Sequence, residues 1–63
     1  MRFEVYRDAT GDWRWRLRHQ NGQVVAESAE GYRRREDCEH GIDLVKQSSS
    51  AKMVDMTLKI AGS

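Results

Sequence analysis

The hydrophobic and polar residues in the first half of the chain alternate in three short runs. Residues 2–7 and 13–19 alternate with period two, and residues 23–27 form a third, shorter run. This period is typical of β-strands with one buried face. The segment 8–12 contains Gly and Asp and predicts a five-residue hairpin connection, whereas Asn21-Gly22 predicts a two-residue type I′ turn. We therefore expect a three-stranded antiparallel meander.

These two turns predict a register for the strands. The five-residue loop pairs Val5 with Trp15, and the two-residue turn pairs Gln20 with Gln23. The resulting sheet has an apolar face and a polar face, and a slip of one residue would exchange them. The apolar face comprises Phe3, Val5, Trp13, Trp15, Leu17, Val24 and Ala26. The polar face comprises Arg2, Glu4, Tyr6, Arg14, Arg16, Arg18, Val25 and Glu27, with Arg16 between the two glutamates.

The period changes to that of a helix over residues 33–48. Cys38, Ile42 and Val45 stand at i, i+4 and i+7 and form one apolar stripe. No Ser, Thr, Asp or Asn stands just before the helix, so its N-cap is not defined by the sequence. Because Cys38 lies on the stripe, we interpret it as a small core residue rather than a nucleophile.

The end of the chain returns to the strand period. Residues 47–52 are a Ser-rich connector, and residues 53–60 alternate again and predict a C-terminal strand arm. The order of elements is β-β-β-α-β, with a core over residues 2–47. The chain 1–63 is thus predicted to be a single α+β domain, with an antiparallel sheet and a helix on one face.

A chain of 63 residues has little core of its own. Below roughly 70–80 residues, a single core rarely supplies more than about 3–5 kcal/mol. Cys38 is the only cysteine, which excludes a disulfide within the chain, and with His19 and His40 it offers too few ligands for a closed zinc site. Oligomerisation is the remaining way to stabilise so small a fold. The polar connector would let the last strand cross to a partner's sheet and cover an edge.

Charge and hydropathy exclude several classes of protein. The chain has 11 Lys and Arg against 10 Asp and Glu, and this near balance gives no whole-molecule argument for a nucleic acid or an anionic membrane. No apolar stretch approaches the roughly 20 residues that span a bilayer. The N-terminus has a strand pattern rather than that of a signal peptide, and the one cysteine is unpaired. We therefore predict a cytoplasmic protein.

Five sequence motifs lie between residues 2 and 47. They are Phe3-x-Val5-Tyr6-Arg7-Asp8, Gly11-x-Trp13-Arg14-Trp15-Arg16-Leu17, Asn21-Gly22-Gln23, Gly31-Tyr32 and Cys38-x-x-Gly41-Ile42-x-x-Val45-Lys46. In combination they resemble the YegP-like family of short uncharacterised domains. The resemblance implies a β3-α-β unit that occurs as a tandem repeat or, when single, as a homodimer with one continuous sheet and exchanged C-terminal strands. It transfers no activity, catalytic residue or cofactor. Arg34 departs from the small polar residue that often caps the helix in the family.

The Arg/Trp strand is the main candidate for a binding surface. Arginines interleaved with aromatics can bind single-stranded nucleic acid, because bases stack on rings while arginines follow phosphates. Alternation, however, places Trp13 and Trp15 on the face opposite the arginines, where a helix would cover both rings. The simpler interpretation is a core and a salt-bridged solvent face. The residues on which a binding surface would depend are Tyr6, Arg14, Arg16 and Arg18.

No motif predicts an enzyme. The sequence has no Cys–His–acid constellation, Gly-rich phosphate loop or isolated pair of carboxylates, so we predict no catalytic residue, cofactor or metal. The triplet Arg33-Arg34-Arg35 could grip a phosphate, but a solvated charge run is the simpler interpretation. The first hypothesis is a non-catalytic homodimeric binding module with an acidic protein or nucleic acid as partner. The alternatives are a small-ligand or enzymatic site at the dimer seam, and a structural accessory without a ligand.

Overall fold

The computed structural model describes residues 1–57 and has an α+β fold. Three strands form one antiparallel sheet in the order β1-β2-β3, and the α-helix Arg35–Lys46 packs against one face, as predicted. A short 3₁₀ helix follows it inside the segment predicted as a connector. The elements are β1 (Arg2–Arg7), β2 (Trp13–Arg18), β3 (Val24–Glu27), α1 (Arg35–Lys46) and the 3₁₀ helix Gln47–Ser50.

The first hairpin has the predicted register. Arg7 pairs with Trp13 across the end of the loop, and Val5 pairs with Trp15 in the middle of the strands. The loop is closed by the Asp8 N–H, which donates to the carbonyl of Asp12 at 2.9 Å. All six pairs of β1 and β2 follow this register, so the two predicted faces are present along the whole hairpin.

The second hairpin differs from the prediction in its turn. The His19 N–H donates to the Gln23 carbonyl at 2.8 Å, and the Gly22 N–H donates to the His19 carbonyl at 2.9 Å. The loop therefore has three residues, and the predicted pair of Gln20 with Gln23 is wrong. Gly22 has a φ of +91°, whereas Asn21 does not have a positive φ. The three-residue loop needs only one left-handed residue, which glycine adopts without the steric cost that Asn21 would bear in a type I′ turn.

A bulge in β3 compensates for the longer loop. Arg18 pairs with Val24 and Leu17 pairs with Ala26. Val25 therefore has no residue of its own to pair with on β2 and is the extra residue of the bulge. The bulge restores the predicted register beyond it. Val24 therefore shares the face of Arg18, and its prediction as an apolar-face residue is wrong. Both valines are exposed.

The core lies between β2 and α1. Trp15, Cys38 and Ile42 are buried, and Cys38 has no exposed surface, which confirms its interpretation as a core residue. The ring of Phe3 meets Trp15 edge-on, with centroids 5.8 Å apart. Trp13 is only partly buried, so the expectation that the helix hides both indoles is wrong for this ring.

The helix approaches the sheet closely at a glycine. A Cβ on Gly41 would lie 2.7 Å from the Tyr32 hydroxyl oxygen and 3.4 Å from Nε1 of Trp15. Tyr32 is held in place by a bridge to β2, in which its N–H donates to the Trp13 carbonyl at 2.8 Å. A larger residue at position 41 would therefore displace the Tyr32 side chain from this contact.

The helix is shorter than the predicted span of 33–48. Arg34 is the N-cap residue, has extended backbone and makes no capping hydrogen bond through its side chain. Because Tyr32 is tied to β2, the chain just before Arg35 is still extended. In the single chain, residues 53–57 belong to no strand of the sheet. The remaining residues of the predicted fourth strand, 58–60, lie outside the described residues, so this strand stays a prediction.

Candidate functional site

The polar face of the sheet carries every residue predicted as a binding surface. The helix packs against the apolar face of the sheet. On the polar face, the strand register places the side chains in rows across β1 and β2. None of them is buried. We call this surface the arginine face, and it comprises Arg2, Glu4, Tyr6, Arg14, Arg16 and Arg18.

One carboxylate organises most of the arginine face. Glu4 Oε1 accepts from Nε of Arg16 at 2.8 Å and from Nε of Arg18 at 2.7 Å. Its Oε2 accepts from Nε of Arg2 at 3.0 Å. The hydrogen bonds from Arg16, Arg18 and Arg2 lower the pKa of Glu4 from its ordinary 4.5 to about 2. Three guanidinium charges thus surround one carboxylate charge, which leaves a local excess of two positive charges.

A second carboxylate, Asp8, holds Arg14. Asp8 Oδ2 accepts from Arg14 Nε at 2.6 Å, while Oδ1 accepts from the Thr10 hydroxyl at 2.6 Å and from the Asp12 N–H at 3.1 Å. Hydrogen bonds from Thr10 and then Arg14 hold the pKa of Asp8 well below its usual range. From its position in the sequence, Asp8 is predicted only as a residue of the hairpin loop. The hydrogen bonds of Asp8 within the loop could have been predicted, because an Asp at the start of a tight turn commonly binds backbone groups two residues on.

Arg16 does not divide its side chain between two carboxylates as predicted. Its Cα lies opposite those of both Glu4 and Glu27, as expected. The guanidinium, however, turns toward β1, where it binds Glu4 and lies 4.7 Å from the centre of the Tyr6 ring. Within residues 1–57, Glu27 forms no ion pair with it. The planar guanidinium of Arg16 contacts only one of its two neighbouring strands, and β1 offers it both a carboxylate and an aromatic ring.

A small cleft adjoins the arginine face where β1 begins and β2 ends. Its volume is about 250 Å³. The N–H of Asn21 donates to His19 Nδ1 at 3.3 Å. The cleft is lined by Met1, Arg2, Arg18, His19 and Gln20.

The start of the helix presents a charge run that is paired internally. Arg34 binds Glu36 at 3.3 Å and Arg35 binds Glu39 at 2.9 Å, and these four exposed side chains line an open depression of about 490 Å³. Exposed pairs of this kind contribute little to stability. The geometry agrees with a solvated charge run, because a carboxylate already holds each of these two arginines.

Cys38 is the one cysteine of the chain and has no exposed surface. Burial raises the pKa of the Cys38 thiol, which favours the unreactive protonated form. Residues 1–57 contain no group of three or more His, Cys, Asp or Glu side chains placed to hold a metal ion. No helix in this range has the length and apolar character needed to cross a membrane.

Comparison with known proteins identifies the family. The family described as a domain of unknown function, DUF1508, matches residues 8–55. A UPF0339 protein of Neisseria meningitidis serogroup B is 43% identical over 54 residues, covering 86% of this chain and 95% of the relative. A UPF0339 protein of Methanosarcina acetivorans is 48% identical over 48 residues, covering 76% of this chain and 81% of the relative.

A solved structure shares the fold. The solution structure of a protein from Haloferax volcanii aligns with a TM-score of 0.77 and 41% sequence identity, over 86% of this chain and 90% of that one. Neither the family description nor the names of these relatives assigns a function. The resemblance of the motifs to YegP-like domains is thereby confirmed. The chain belongs to the DUF1508 (UPF0339) family of small α+β domains.

Proposed function

We propose that this chain is a small, homodimeric, non-catalytic binding module whose arginine face binds single-stranded nucleic acid. The observation that carries the proposal is the convergence of Arg2, Arg16 and Arg18 on the single carboxylate of Glu4. This arrangement holds an excess of positive charge in fixed positions on a sheet surface. Neutralisation of phosphates by such groups supplies most of the affinity in non-specific nucleic-acid binding.

The aromatic ring on the arginine face favours nucleic acid over an acidic protein. The Arg16 guanidinium lies over the Tyr6 ring at 4.7 Å, so two flat groups stand together on the exposed surface. Bases stack on both aromatic rings and guanidinium planes, whereas carboxylates of a protein partner would need only the charges. The aromatic that this surface offers is Tyr6, because the two tryptophans belong to the opposite face.

The test is binding of a fluorescent single-stranded oligonucleotide, followed by anisotropy at several salt concentrations. With three to four phosphate contacts, the slope of log K against log salt should be about −2 to −3, from roughly −0.7 for each phosphate. The double variant Arg14→Glu, Arg18→Glu should remove detectable binding.

The matched control is Arg33→Glu, Arg34→Glu, which changes the net charge by the same amount at the start of the helix. It should retain most of the affinity. Undetectable binding of the wild type at low salt would end the nucleic-acid proposal. Capture of an acidic protein by the wild type but not by the first double variant would instead support the acidic-partner hypothesis.

The homodimer is supported by apolar side chains that the single chain leaves uncovered. Met53 is 98% exposed, and Val54, Met56 and Leu44 are also exposed. Isolated exposed apolar residues are common, but several within four residues of one segment indicate a surface that another chain covers. We propose that residues 53–60 form a strand on the sheet of a second copy, as in the exchange implied by the family resemblance.

A molar-mass measurement by light scattering tests the dimer. The intact chain should have twice its mass of 7.3 kDa, and deletion of residues 52–63 should give a monomer. Deletion of residues 61–63 alone spares the proposed strand and should leave the dimer intact. A folded dimer that persists without residues 52–63 would exclude strand exchange.

We also propose a cytoplasmic location. Cys38 is an unpaired thiol with no exposed surface, and free cysteines are typical of proteins in reducing compartments. Fractionation of cells that express a tagged chain tests this, and recovery of the chain outside the cytoplasm would contradict it.

A further inference from the structure

We infer that the cleft beside the arginine face is a binding site for a phosphate monoester, such as the terminal phosphate of a nucleic-acid strand or of a small phosphorylated molecule. The inference deepens the proposed function by assigning one chemical group to one end of the arginine face. It depends on the geometry of Glu4, Arg2 and Arg18 and on the residues at the end of the hairpin.

Within residues 1–57, the hydrogen bonds of Glu4 leave both terminal nitrogens of Arg2 and one terminal nitrogen of Arg18 for another acceptor. Glu4 accepts from Nε of Arg2 and from Nε of Arg18, so it holds each guanidinium by one side. Within residues 1–57, neither terminal nitrogen of Arg2 donates to another residue, while Nη1 of Arg18 donates to the Gly22 carbonyl at 2.6 Å. Arg2 is held only at Nε and so keeps its two terminal nitrogens for a second acceptor, and a phosphate fits that paired edge.

Glu4 acts here as a positioning residue. Guanidinium groups on neighbouring strands repel one another, and a carboxylate between them lets them stay close together. Because hydrogen bonds from Arg16, Arg18 and Arg2 keep Glu4 charged, it stays ionised through the neutral range. A doubly charged anion would neutralise the cluster, since its three arginines and one glutamate carry an excess of two positive charges.

The size and the other lining groups of the cleft suit a small anion. Sites for drug-sized ligands occupy about 300–1,000 Å³, and this cleft, at about 250 Å³, is smaller. It therefore suits a phosphate group better than a whole nucleotide. His19 and Gln20 line the same cleft and add two polar side chains to it.

The first experiment titrates inorganic phosphate into isotope-labelled protein at constant ionic strength, with chloride as the balancing anion. The Nε–Hε signals of Arg2 and Arg18 should shift and saturate, with a dissociation constant of about 1 mM, which corresponds to roughly −4 kcal/mol. Arg2→Gln should weaken phosphate binding at least tenfold. Arg2 is 68% exposed at the first position of β1, so this variant should fold normally.

The control is Arg34→Gln, which removes an exposed arginine that is held by Glu36 at the start of the helix, outside the arginine face and the cleft. It should change the phosphate affinity less than twofold. Shifts that are linear in phosphate concentration, or equal losses in the two variants, would refute the cleft as a site.

The second experiment compares single strands with a 5′-phosphate and with a 5′-hydroxyl end. The phosphorylated strand should bind about fivefold more tightly, and Arg2→Gln should abolish this difference. Equal binding of both strands would remove the assignment of a strand end to the cleft while leaving the proposed function intact. Saturable binding of phosphate without binding of either strand would support the cleft with a small phosphorylated ligand and overturn the nucleic-acid function.

Discussion

Trp15 and Arg16 are neighbours in β2, yet they belong to surfaces of opposite character. Trp15 is 7% exposed and packs with Cys38 and Ile42 beneath the helix. Arg16 points to the other side, where it binds Glu4 and lies over Tyr6. The apolar face stabilises the fold by removing surface from water. The arginine face holds charges in defined positions at a surface, where ion pairs contribute little to stability.

The two tryptophans show that being on the apolar face is not sufficient for burial. Trp13 lies at the end of the sheet and is only partly buried. The guanidinium of Arg7 lies 4.8 Å from the centre of its ring, and that of Arg35 lies 5.5 Å away. Apolar side chains of the helix therefore cover the centre of the sheet, whereas two guanidinium groups, one from β1 and one from the helix, lie over the ring at its end.

The largest expected effect is on the apolar face. Trp15→Ala should cost about 3–5 kcal/mol, because it removes the largest side chain that is buried in residues 1–57 and leaves a cavity. A domain of this size is stable by only about 0.05–0.15 kcal/mol per residue, so the variant should be largely unfolded. Trp13→Ala should cost clearly less. Thermal unfolding followed by circular dichroism measures both, and equal losses would contradict the different roles of the two rings.

Trp15→Phe separates the loss of volume from the loss of the polar group. Within residues 1–57, the buried Nε1 of Trp15 has no hydrogen-bond partner. A buried donor without a partner is unfavourable, so its removal offsets part of the lost packing. This variant should remain folded, with a smaller decrease in melting temperature than Trp15→Ala.

A smaller effect is expected on the arginine face, and it should depend on pH. The pKa of Glu4 is lowered to about 2 in the folded protein, below its ordinary 4.5, so folding favours the charged form. The stability that this supplies is present above pH 4.5 and is lost as the pH falls through 2. Glu4→Gln should therefore unfold with a weaker pH dependence between 4.5 and 2, as measured by urea denaturation.

The matched control for this variant is Glu27→Gln, since Glu27 lies on the same face beside Arg16 but forms no ion pair with it in residues 1–57. It should keep the acid dependence of the wild type. The same acid dependence in Glu4→Gln would show that the arginines do not stabilise the charged form of Glu4 in solution.

The smallest loss of stability is expected at the loop that joins β2 to β3. Gly22→Ala should cost about 1 kcal/mol, because an alanine is strained at a φ of +91°. Asn21→Ala should cost less, since Asn21 has no positive φ and loses only the hydrogen bond that its Oδ1 accepts from the Gln23 N–H. Urea denaturation distinguishes the two, and a larger loss for Asn21→Ala would favour the type I′ turn.

The alternation of the first half of the chain predicted much of the candidate site. The pairing of Val5 with Trp15 and the common face of Tyr6, Arg14, Arg16 and Arg18 follow from period two and from one loop length. The stripe on the helix likewise predicted that Cys38 is buried. The partner of each arginine could not be predicted, because rows of Cα positions leave a long side chain free to turn toward either neighbouring strand.

The first three strands, the helix, the register of the first hairpin and the two faces of β2 could be predicted from local periods and short loops. The folded chain was needed to show that the Gly22 loop has three residues with a bulge at Val25, that Trp13 stays partly exposed and that Arg16 binds Glu4 rather than Glu27. Each of these outcomes depends on competition between contacts from different elements. A local pattern cannot rank such contacts, since their energies differ by little and depend on positions that only the folded chain defines.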